Sequence, residues 1–251
     1  MTDREGQAKA ALVTGAASGI GRAVAGRLAE AGMSVLAVDL KPDPDGPGLP
    51  HQADLVSTEA NAGAVSAALE RFGRLDVIVA NAGVQHVAPV EEFPVERFET
   101  IVALLLTSPF LLAKHAWPHL RQSGHGRFIV IASVHSLVAS PYKSAYVSAK
   151  HGVLGLVKTL ALEGADSGVC AMAVCPGYVR TPLVEKQIAD QAKAHGMPAE
   201  RVLDEVILAP HAVKALIEPS EVAEVVAFLS GPAGRAFTGV PLTMDLGWSA
   251  R

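Results

Sequence analysis

Cysteine, aromatic residues and charge are all scarce in this chain. Its 251 residues include two cysteines, 5% aromatic residues and 18% charged residues, and the net charge is -4. Proteins that bind nucleic acid usually present a clustered basic surface, and this composition provides no such excess of positive charge. We therefore expect no nucleic-acid partner.

Long apolar runs and a secretory leader are also missing. The longest apolar stretch, residues 101–113, is interrupted by Thr107, Ser108 and Pro109 and is too short to span a bilayer. No basic segment followed by an apolar one stands at the N-terminus, so we expect neither secretion nor a membrane partner. Cys170 and Cys175 lie an odd number of residues apart in one strand-like run, which points them to opposite faces. We expect reduced, buried thiols in a cytoplasmic protein.

Half of the residues are hydrophobic, and their arrangement predicts an α/β fold. Strand-like runs alternate with helical segments, as in a parallel sheet covered on both faces. Strands are predicted at residues 11–14, 34–39, 49–54, 77–81, 127–133, 169–176 and 241–245, and helices at residues 19–31, 58–72, 95–119, 144–164 and 219–230. We therefore expect one Rossmann-type doubly wound domain over residues 1–251. A polar helical insert at about 182–218 is either a mobile lid over the site or an ordinary surface helix pair.

A glycine-rich turn follows the first predicted strand. Thr14-Gly15-Ala16-Ala17-Ser18-Gly19-Ile20-Gly21 precedes a helix, and such turns let backbone N–H groups approach a pyrophosphate. Asp39 ends the second strand, about 20 residues later, where a carboxylate can accept hydrogen bonds from an adenosine ribose and repel a 2′-phosphate. Asp39 could instead be a solvated loop acid. The turn and the acid together indicate a site for NAD.

A second pattern lies further along the chain. Tyr146 and Lys150 are four residues apart, so they share one helix face, and Ser133 lies upstream at the end of an apolar run. A nearby cation favours the phenolate and lowers the pKa of a phenol, which would let Tyr146 exchange protons near neutrality. Alone, the pair could be a surface contact and Ser133 a helix cap.

In this order and at these intervals, the motifs resemble those of the short-chain dehydrogenase/reductase family over essentially the whole chain. The resemblance implies that Tyr146 is the general acid/base, that Ser133 holds the substrate oxygen and that Lys150 lowers the pKa of Tyr146. It implies NAD contacts from Thr14, Gly15, Ser18, Gly19, Ile20, Gly21, Asp39, Asp54, Leu55, Asn81, Ala82, Gly83, Tyr146, Lys150, Pro176, Gly177, Val179 and Thr181. It implies no metal at the reacting centre, and a homotetramer.

Within the family, several stretches resemble the D-3-hydroxybutyrate dehydrogenases. In that group a small carboxylate is held by residues that match Gln85, His135, Lys143 and Gln187 here, and Trp248 would offer an apolar wall for the substrate methyl group. A lysine charge with amide and imidazole donors suits a carboxylate. Taken singly, these residues are equally typical of surfaces, loops and packing. As a group they favour a small 3-hydroxy acid that is oxidised to its 3-keto acid.

Two departures from the family pattern keep alternatives open. Leu105 stands where relatives usually carry an asparagine that passes protons to the lysine, and leucine cannot form hydrogen bonds through its side chain. Ala209-Pro210-His211 stands where the hydroxybutyrate enzymes usually show Lys-Gln-Pro. The alternatives are a dehydrogenase for another secondary alcohol, or a cofactor-binding protein of low activity.

Overall fold

One parallel sheet organises the chain. The computed structural model describes Met1 and residues 6–250, and residues 186, 187, 189, 194 and 195 are described by their backbone alone. The sheet has seven strands in the order β3-β2-β1-β4-β5-β6-β7. They are β1 (Ala10–Thr14), β2 (Ser34–Asp39), β3 (Leu49–Gln52), β4 (Val77–Ala80), β5 (Arg127–Ile131), β6 (Cys170–Pro176) and β7 (Pro241–Met244). The predicted Rossmann-type α/β class is confirmed.

Helices cover both faces of this sheet. They are α1 (Gly19–Glu30), α2 (Thr58–Phe72), α3 (Val95–Val102), α4 (Ser108–Gln122), α5 (Ser144–Gly164), α6 (Pro182–His195), α7 (Ala199–Val202) and α8 (Pro219–Ser230). Two buried apolar clusters separate the helices from the sheet, one on each face. Cys175 belongs to the first cluster and Cys170 to the second, and both thiols are free. Their predicted placement on opposite faces is therefore confirmed.

The predicted single helix over residues 95–119 is interrupted. A π-helical segment, Ala103–Thr107, joins α3 to α4, and the N–H of Ser108 donates to the carbonyl of Ala103. Pro109 has no N–H, so it cannot donate to the carbonyl of Leu105 four residues earlier. This missing donor accounts for a local widening of the helix next to Leu105.

The run from Val95 to Gln122 is long and apolar enough to cross a membrane by length and composition alone. In the structure, this run packs against other helices of the domain. Leu111, Leu112, Ala116 and Leu120 are buried, and α4 packs against α2 and α5. These four side chains therefore belong to the core of an α/β fold, whereas Val95, Phe98 and Phe110 are exposed.

Four strands end earlier than the apolar pattern predicts, β4 and β7 by one residue and β3 and β5 by two. β3 stops at Gln52 rather than at Asp54, and β5 stops at Ile131 rather than at Ser133. The Ser133 hydroxyl accepts a hydrogen bond from the backbone N–H of His135 and so starts a 3₁₀ turn, Val134–Ser136. Asp54 and Ser133 consequently lie beyond the carboxyl ends of parallel strands, where open α/β sheets bind their ligands.

Candidate active site

The glycine turn after β1 permits very close packing of the backbone. Gly15 has a φ of +65°, and a Cβ there would lie 2.8 Å from Asn81 Nδ2. A Cβ at Gly21 would lie 2.1 Å from the carbonyl oxygen of Gly15. Neither position therefore tolerates a side chain without movement of the backbone. The glycines allow the chain to turn tightly from β1 into α1.

Thr14 and Asn81 hold this turn against the end of β4. The Thr14 hydroxyl accepts hydrogen bonds from the backbone N–H groups of Asn81 and Ala82, both at 2.9 Å. The Asn81 side chain donates in return to the carbonyls of Thr14, at 2.9 Å, and Gly15, at 3.3 Å. Two adjacent strand ends are thereby fixed to each other.

Helix α1 begins at the turn with its N-terminal N–H groups available. Ser18 is the N-cap residue, and its side chain makes no capping hydrogen bond. The first N–H groups of a helix have no partners within the helix and favour an anionic ligand. Asp39 stands nearby at the end of β2, where its carboxylate accepts hydrogen bonds from the N–H groups of Ala17 and Lys41, each at 3.1 Å. The turn, the helix end and this acid fit a dinucleotide.

A cavity of about 300 Å³ connects the glycine turn to the polar residues beyond β5. Most of the predicted site residues border it: Gly15, Ser18, Gly19, Ile20, Asp39, Asn81, Gly83, Gln85, Ser133, His135, Lys143, Tyr146, Lys150, Pro176, Gly177, Val179 and Thr181. Of the other predicted contacts, Thr14, Gly21 and Ala82 do not border the cavity. They belong to the glycine turn and to the hydrogen bonds that hold it in place.

Asp54 and Leu55 do not border the cavity. Asp54 is exposed, and its carboxylate accepts from the N–H of Val56. Leu55 is 3% exposed and packs in the apolar core. The structure therefore places the side chain of Leu55 away from the cavity.

Ser133, Tyr146 and Lys150 converge at one wall of the cavity. Tyr146 and Ser133 both border the cavity, and Ser133 lies close enough to act on the pKa of the Tyr146 phenol. Lys150 is buried beneath them: its ammonium donates to the carbonyl of Ile131 at 2.7 Å and lies 5.5 Å from the centre of the Tyr146 ring. A phenol, a hydroxyl and a cation thus meet at one place, as the sequence predicts.

The expected electrostatic effect of Lys150 on Tyr146 is wrong for the protein by itself. Burial raises the pKa of Tyr146 above its ordinary value, and the neighbouring Ser133 hydroxyl only partly opposes this. Burial also lowers the pKa of Lys150 to about 8. Desolvation is the largest cause at both groups, because it disfavours their charged forms. A positive charge bound in the cavity would lower the Tyr146 pKa.

Lys143 reaches the same cavity one helical turn before Tyr146. It is 2% exposed, and its ammonium donates to the phenol oxygen of Tyr178 at 2.8 Å. Burial lowers the pKa of Lys143 to about 8. No carboxylate forms an ion pair with Lys143 among the residues that the structure describes. A buried cation without a protein counter-ion suits an anionic ligand.

The other predicted substrate contacts differ in placement. Gln85 borders the cavity, and its buried amide nitrogen has no hydrogen-bond partner in the described part of the chain. His135 is 4% exposed, and both of its ring nitrogens already face serine hydroxyls. The Trp248 ring packs 5.6 Å from the His135 ring and does not border the main cavity. The side chain of Gln187 lies outside the described residues.

Two aromatic residues near the site escaped the sequence analysis. Tyr178 borders the cavity and binds Lys143, although it stands between two residues that the motif did identify. His211 is 2% exposed, its ring lies 5.9 Å from that of Tyr178, and neither ring nitrogen has a partner among the described residues. The signal available in the sequence was His211 itself, which lies in the segment that departs from the usual pattern of the hydroxybutyrate enzymes.

The C-terminal segment is shaped by one buried acid. Asp245 accepts hydrogen bonds from the N–H groups of Gly247 and Ser249 and from the Ser249 hydroxyl. Leu246 and Gly247 both adopt positive φ angles, 53° and 78°. This turn positions Trp248 against His135.

The polar insert leaves the end of β6 and passes close to the glycine turn. Thr181 begins α6, where its hydroxyl accepts from the N–H of Val184. Its methyl carbon would lie 3.0 Å from a Cβ at Gly19. The insert carries a small apolar cluster of its own, which includes Tyr178, Val184 and Ile207. One side of the cavity is therefore built from Thr181, Pro182, Leu183 and Val184.

Comparisons with known proteins agree with this geometry. Residues 9–192 match the short chain dehydrogenase family. The chain is 44% identical to a D-beta-hydroxybutyrate dehydrogenase of Rhizobium meliloti, over 97% of this chain and 99% of that protein. It is 42% identical to a D-beta-hydroxybutyrate dehydrogenase of Cupriavidus necator, over 97% and 98%.

A solved structure gives the same result. The ligand-free aldohexose dehydrogenase of Thermoplasma acidophilum superposes with a TM-score of 0.90 at 30% identity, covering 97% of this chain and 95% of that one. The predicted family is confirmed by full-length relatives as well as by shared motifs. This chain belongs to the short-chain dehydrogenase family of oxidoreductases.

Proposed function

We propose that this protein is an NAD-dependent dehydrogenase that interconverts a small 3-hydroxy acid and its 3-keto acid, D-3-hydroxybutyrate and acetoacetate. One observation carries the proposal: the Ser133, Tyr146 and Lys150 group shares a cavity with the buried cation of Lys143. A reacting hydroxyl and a carboxylate can therefore be held by the same wall. The names of the two hydroxybutyrate relatives support the same substrate.

The choice of NAD rests on Asp39. Its carboxylate oxygens each accept one backbone hydrogen bond and retain further acceptor capacity for ribose hydroxyls. A 2′-phosphate at this position would meet a negative charge at the end of β2. The glycine turn supplies close backbone approach beside it. These features favour NAD over NADP.

In the oxidation direction, the protein positions the alcohol and moves its proton. A nicotinamide cofactor, held by the glycine turn and Asp39, would supply the acceptor for the hydride of the carbinol carbon. Ser133 holds the substrate oxygen by a hydrogen bond, and Tyr146 accepts the hydroxyl proton. Lys150 holds its ammonium beneath the phenol and within reach of the cavity, where it can also bind ribose hydroxyls. Burial in the protein alone raises the pKa of Tyr146, and the positive charge of an oxidised nicotinamide ring would oppose that rise.

The carboxylate is placed by Lys143 with help from Gln85. Lys143 supplies a charge in a poorly solvated wall, and Gln85 supplies a buried N–H group that otherwise lacks an acceptor. A hydrogen bond to a charged group is worth about 1.5–3 kcal/mol. Such a clamp would fix a 3-hydroxy acid with its hydroxyl at Tyr146. Gln187 and Trp248 are proposed as further contacts when the insert packs against substrate.

We further propose a cytoplasmic homotetramer in which residues 1–251 form one domain and the insert at about 182–218 acts as a lid. Family resemblance is the basis for the assembly. The lid assignment is supported by the close approach of Thr181 and Pro182, where the insert begins, to Gly19 of the glycine turn.

The test is direct. Purified protein is mixed with NAD or NADP and with D-3-hydroxybutyrate, its L enantiomer, or 2-butanol, a neutral alcohol of the same length. Absorbance of the reduced nicotinamide reports turnover. We expect NAD and the D acid to be preferred. Turnover of 2-butanol but not of either acid would indicate that the substrate is a secondary alcohol without a carboxylate. Cofactor binding without turnover of any alcohol would contradict the dehydrogenase proposal.

A further inference from the structure

The phenol of Tyr178 stands beside the buried cation of the cavity. Tyr178 borders the same cavity as Lys143 and is 8% exposed. Its oxygen accepts a hydrogen bond from the Lys143 ammonium at 2.8 Å. Tyr178 follows β6 and Lys143 precedes α5, so the fold brings together two polar groups that are distant in the sequence.

The hydrogen bond from Lys143 uses only part of the capacity of the Tyr178 hydroxyl. An ammonium has three donors and no acceptor, whereas a phenol both donates and accepts. The Tyr178 oxygen is therefore the acceptor in this pair, and its own O–H group needs a different partner. Among the residues that the structure describes, no group accepts a hydrogen bond from this hydroxyl. The O–H group is thus left for an acceptor that enters the cavity.

The surroundings of Tyr178 keep its hydroxyl protonated and its ring in place. Burial is the main cause that raises the pKa of Tyr178, and the neighbouring Tyr146 adds to the rise. The Tyr178 ring lies 6.4 Å from the His135 ring, at 86° to it, and 5.9 Å from the His211 ring. Because the ring is already packed against two imidazoles, little ordering of this side chain is required when a ligand binds.

We propose that Tyr178 donates a hydrogen bond to the carboxylate that Lys143 binds, so that a phenol and an ammonium hold the acid together. This inference rests on the proposed function, which makes the substrate a small hydroxy acid. A carboxylate has two acceptor oxygens with several lone pairs, so one anion can accept from both groups. The hydrogen bond from Lys143 polarises the phenol and strengthens its donation. Tyr178 thereby favours an acid over a neutral alcohol.

A direct contact with the carboxylate and an indirect effect through Lys143 predict different results. If the phenol touches the carboxylate, its loss weakens acid binding even where Lys143 has been replaced. If the phenol only holds the ammonium in place, its loss has no effect in that background. A double-mutant cycle separates the two cases.

The experiment measures the binding of butyrate in the presence of NAD, at a pH below the lowered pKa of Lys143. Ligand-observed NMR is used because it follows weak affinities. Wild type is compared with Tyr178→Phe, Lys143→Gln and the double variant. Tyr142→Phe is the matched control, since Tyr142 is the remaining tyrosine of the chain and does not border the cavity. Tyr178→Phe keeps the ring and removes only the hydroxyl.

We expect Tyr178→Phe to raise the dissociation constant of butyrate about tenfold, as for loss of a hydrogen bond to a charged group, and severalfold in the Lys143→Gln background. Binding of 2-butanol, a neutral ligand of the same length, should change little. Tyr142→Phe should bind butyrate as wild type does.

Each outcome decides one claim. Unchanged butyrate binding by Tyr178→Phe would overturn the proposal, and so would an effect that disappears in the Lys143→Gln background. Wild type that does not bind butyrate would overturn it as well. Turnover of D-3-hydroxybutyrate by wild type is measured separately. Its absence, with butyrate binding that still depends on Tyr178, would count against the proposed function and support the role of Tyr178 in binding an acid.

Discussion

The ammonium of Lys143 lies 2.8 Å from the phenol oxygen of Tyr178 and 4.9 Å from the centre of its ring. The Tyr178 phenol oxygen thus accepts a hydrogen bond from the buried ammonium of Lys143, which lies 35 residues earlier in the sequence. A neutral partner stabilises the charge only in part, and the lysine remains able to bind a carboxylate. This pair is the structural reason to expect an acidic substrate.

Removal of the Lys143 charge should weaken acid binding selectively. Lys143→Ala loses a charge-assisted hydrogen bond, and we expect KM for D-3-hydroxybutyrate to rise about ten- to hundredfold. Steady-state kinetics measure this, with Lys158→Ala, an exposed lysine on the same helix, as the control. Turnover of a neutral alcohol should change much less. An unaltered KM for the acid would show that Lys143 does not bind the carboxylate.

The pH dependence of anion binding should follow the same lysine. Burial lowers the pKa of Lys143 to about 8, so its positive charge is present below that pH and is lost above it. Butyrate, which lacks the reacting hydroxyl, should inhibit competitively, and its affinity should fall as pH rises through about 8. In Lys143→Gln, inhibition should be weak, and its dependence on pH should be reduced to the contribution of Lys150, which borders the same cavity and whose pKa is also lowered to about 8. A wild-type inhibition constant that stays constant would contradict the assignment.

Removal of the phenol should stop chemistry and spare the cofactor site. Tyr146→Phe retains the ring that packs beside Leu105 and Ala149 but has no proton to exchange. We expect kcat to fall by about 10²–10⁴-fold, the range of acid–base catalysis. Titration with NAD, followed by protein fluorescence, should give an affinity close to that of wild type. Substantial turnover by this variant would remove Tyr146 from the mechanism.

Local patterns predicted the sheet and the main cluster well because both depend on neighbours in sequence. Four-residue spacing on α5 placed Tyr146 above Lys150, and an apolar run ending near Ser133 placed that hydroxyl at a strand end. Such local patterns do not predict contacts between residues that are far apart in the sequence. The contact of Tyr178 with Lys143 joins the segment after β6 to the residue that precedes α5, and no periodicity encodes it.

The predicted pKa effect failed for a related reason. A lysine four residues from a tyrosine implies attraction, but the balance depends on how completely both groups are removed from water. Burial dominates at Tyr146 and at Lys150, and burial is a property of the whole fold. Likewise, the approach of Ser140 to His135 depends on the path of the loop before α5.

Cofactor preference should shift when the charge of Asp39 is removed. Asp39→Asn replaces one acceptor oxygen by an NH2 donor and removes the negative charge that repels a 2′-phosphate, so kcat/KM for NAD should fall while that for NADP rises relative to it. Asp45→Asn, an exposed acid in the following loop, is the matched control and should leave the ratio unchanged. Kinetics with each cofactor measure the ratio. A wild type that prefers NADP would contradict the role of Asp39.

Two glycines should respond oppositely to alanine. A Cβ at Gly21 would lie 2.1 Å from the Gly15 carbonyl oxygen and 2.6 Å from Asn81 Nδ2, so Gly21→Ala must displace the turn that fits the cofactor. Gly63 is exposed within α2, and a Cβ there meets nothing within 4 Å. Gly63→Ala should therefore stabilise the fold by about 0.5–1 kcal/mol. Thermal unfolding with and without NAD separates the effects: Gly21→Ala should lose the stabilisation by NAD, whereas Gly63→Ala should keep it. Normal NAD binding by Gly21→Ala would mean that the tight turn is not needed for the cofactor.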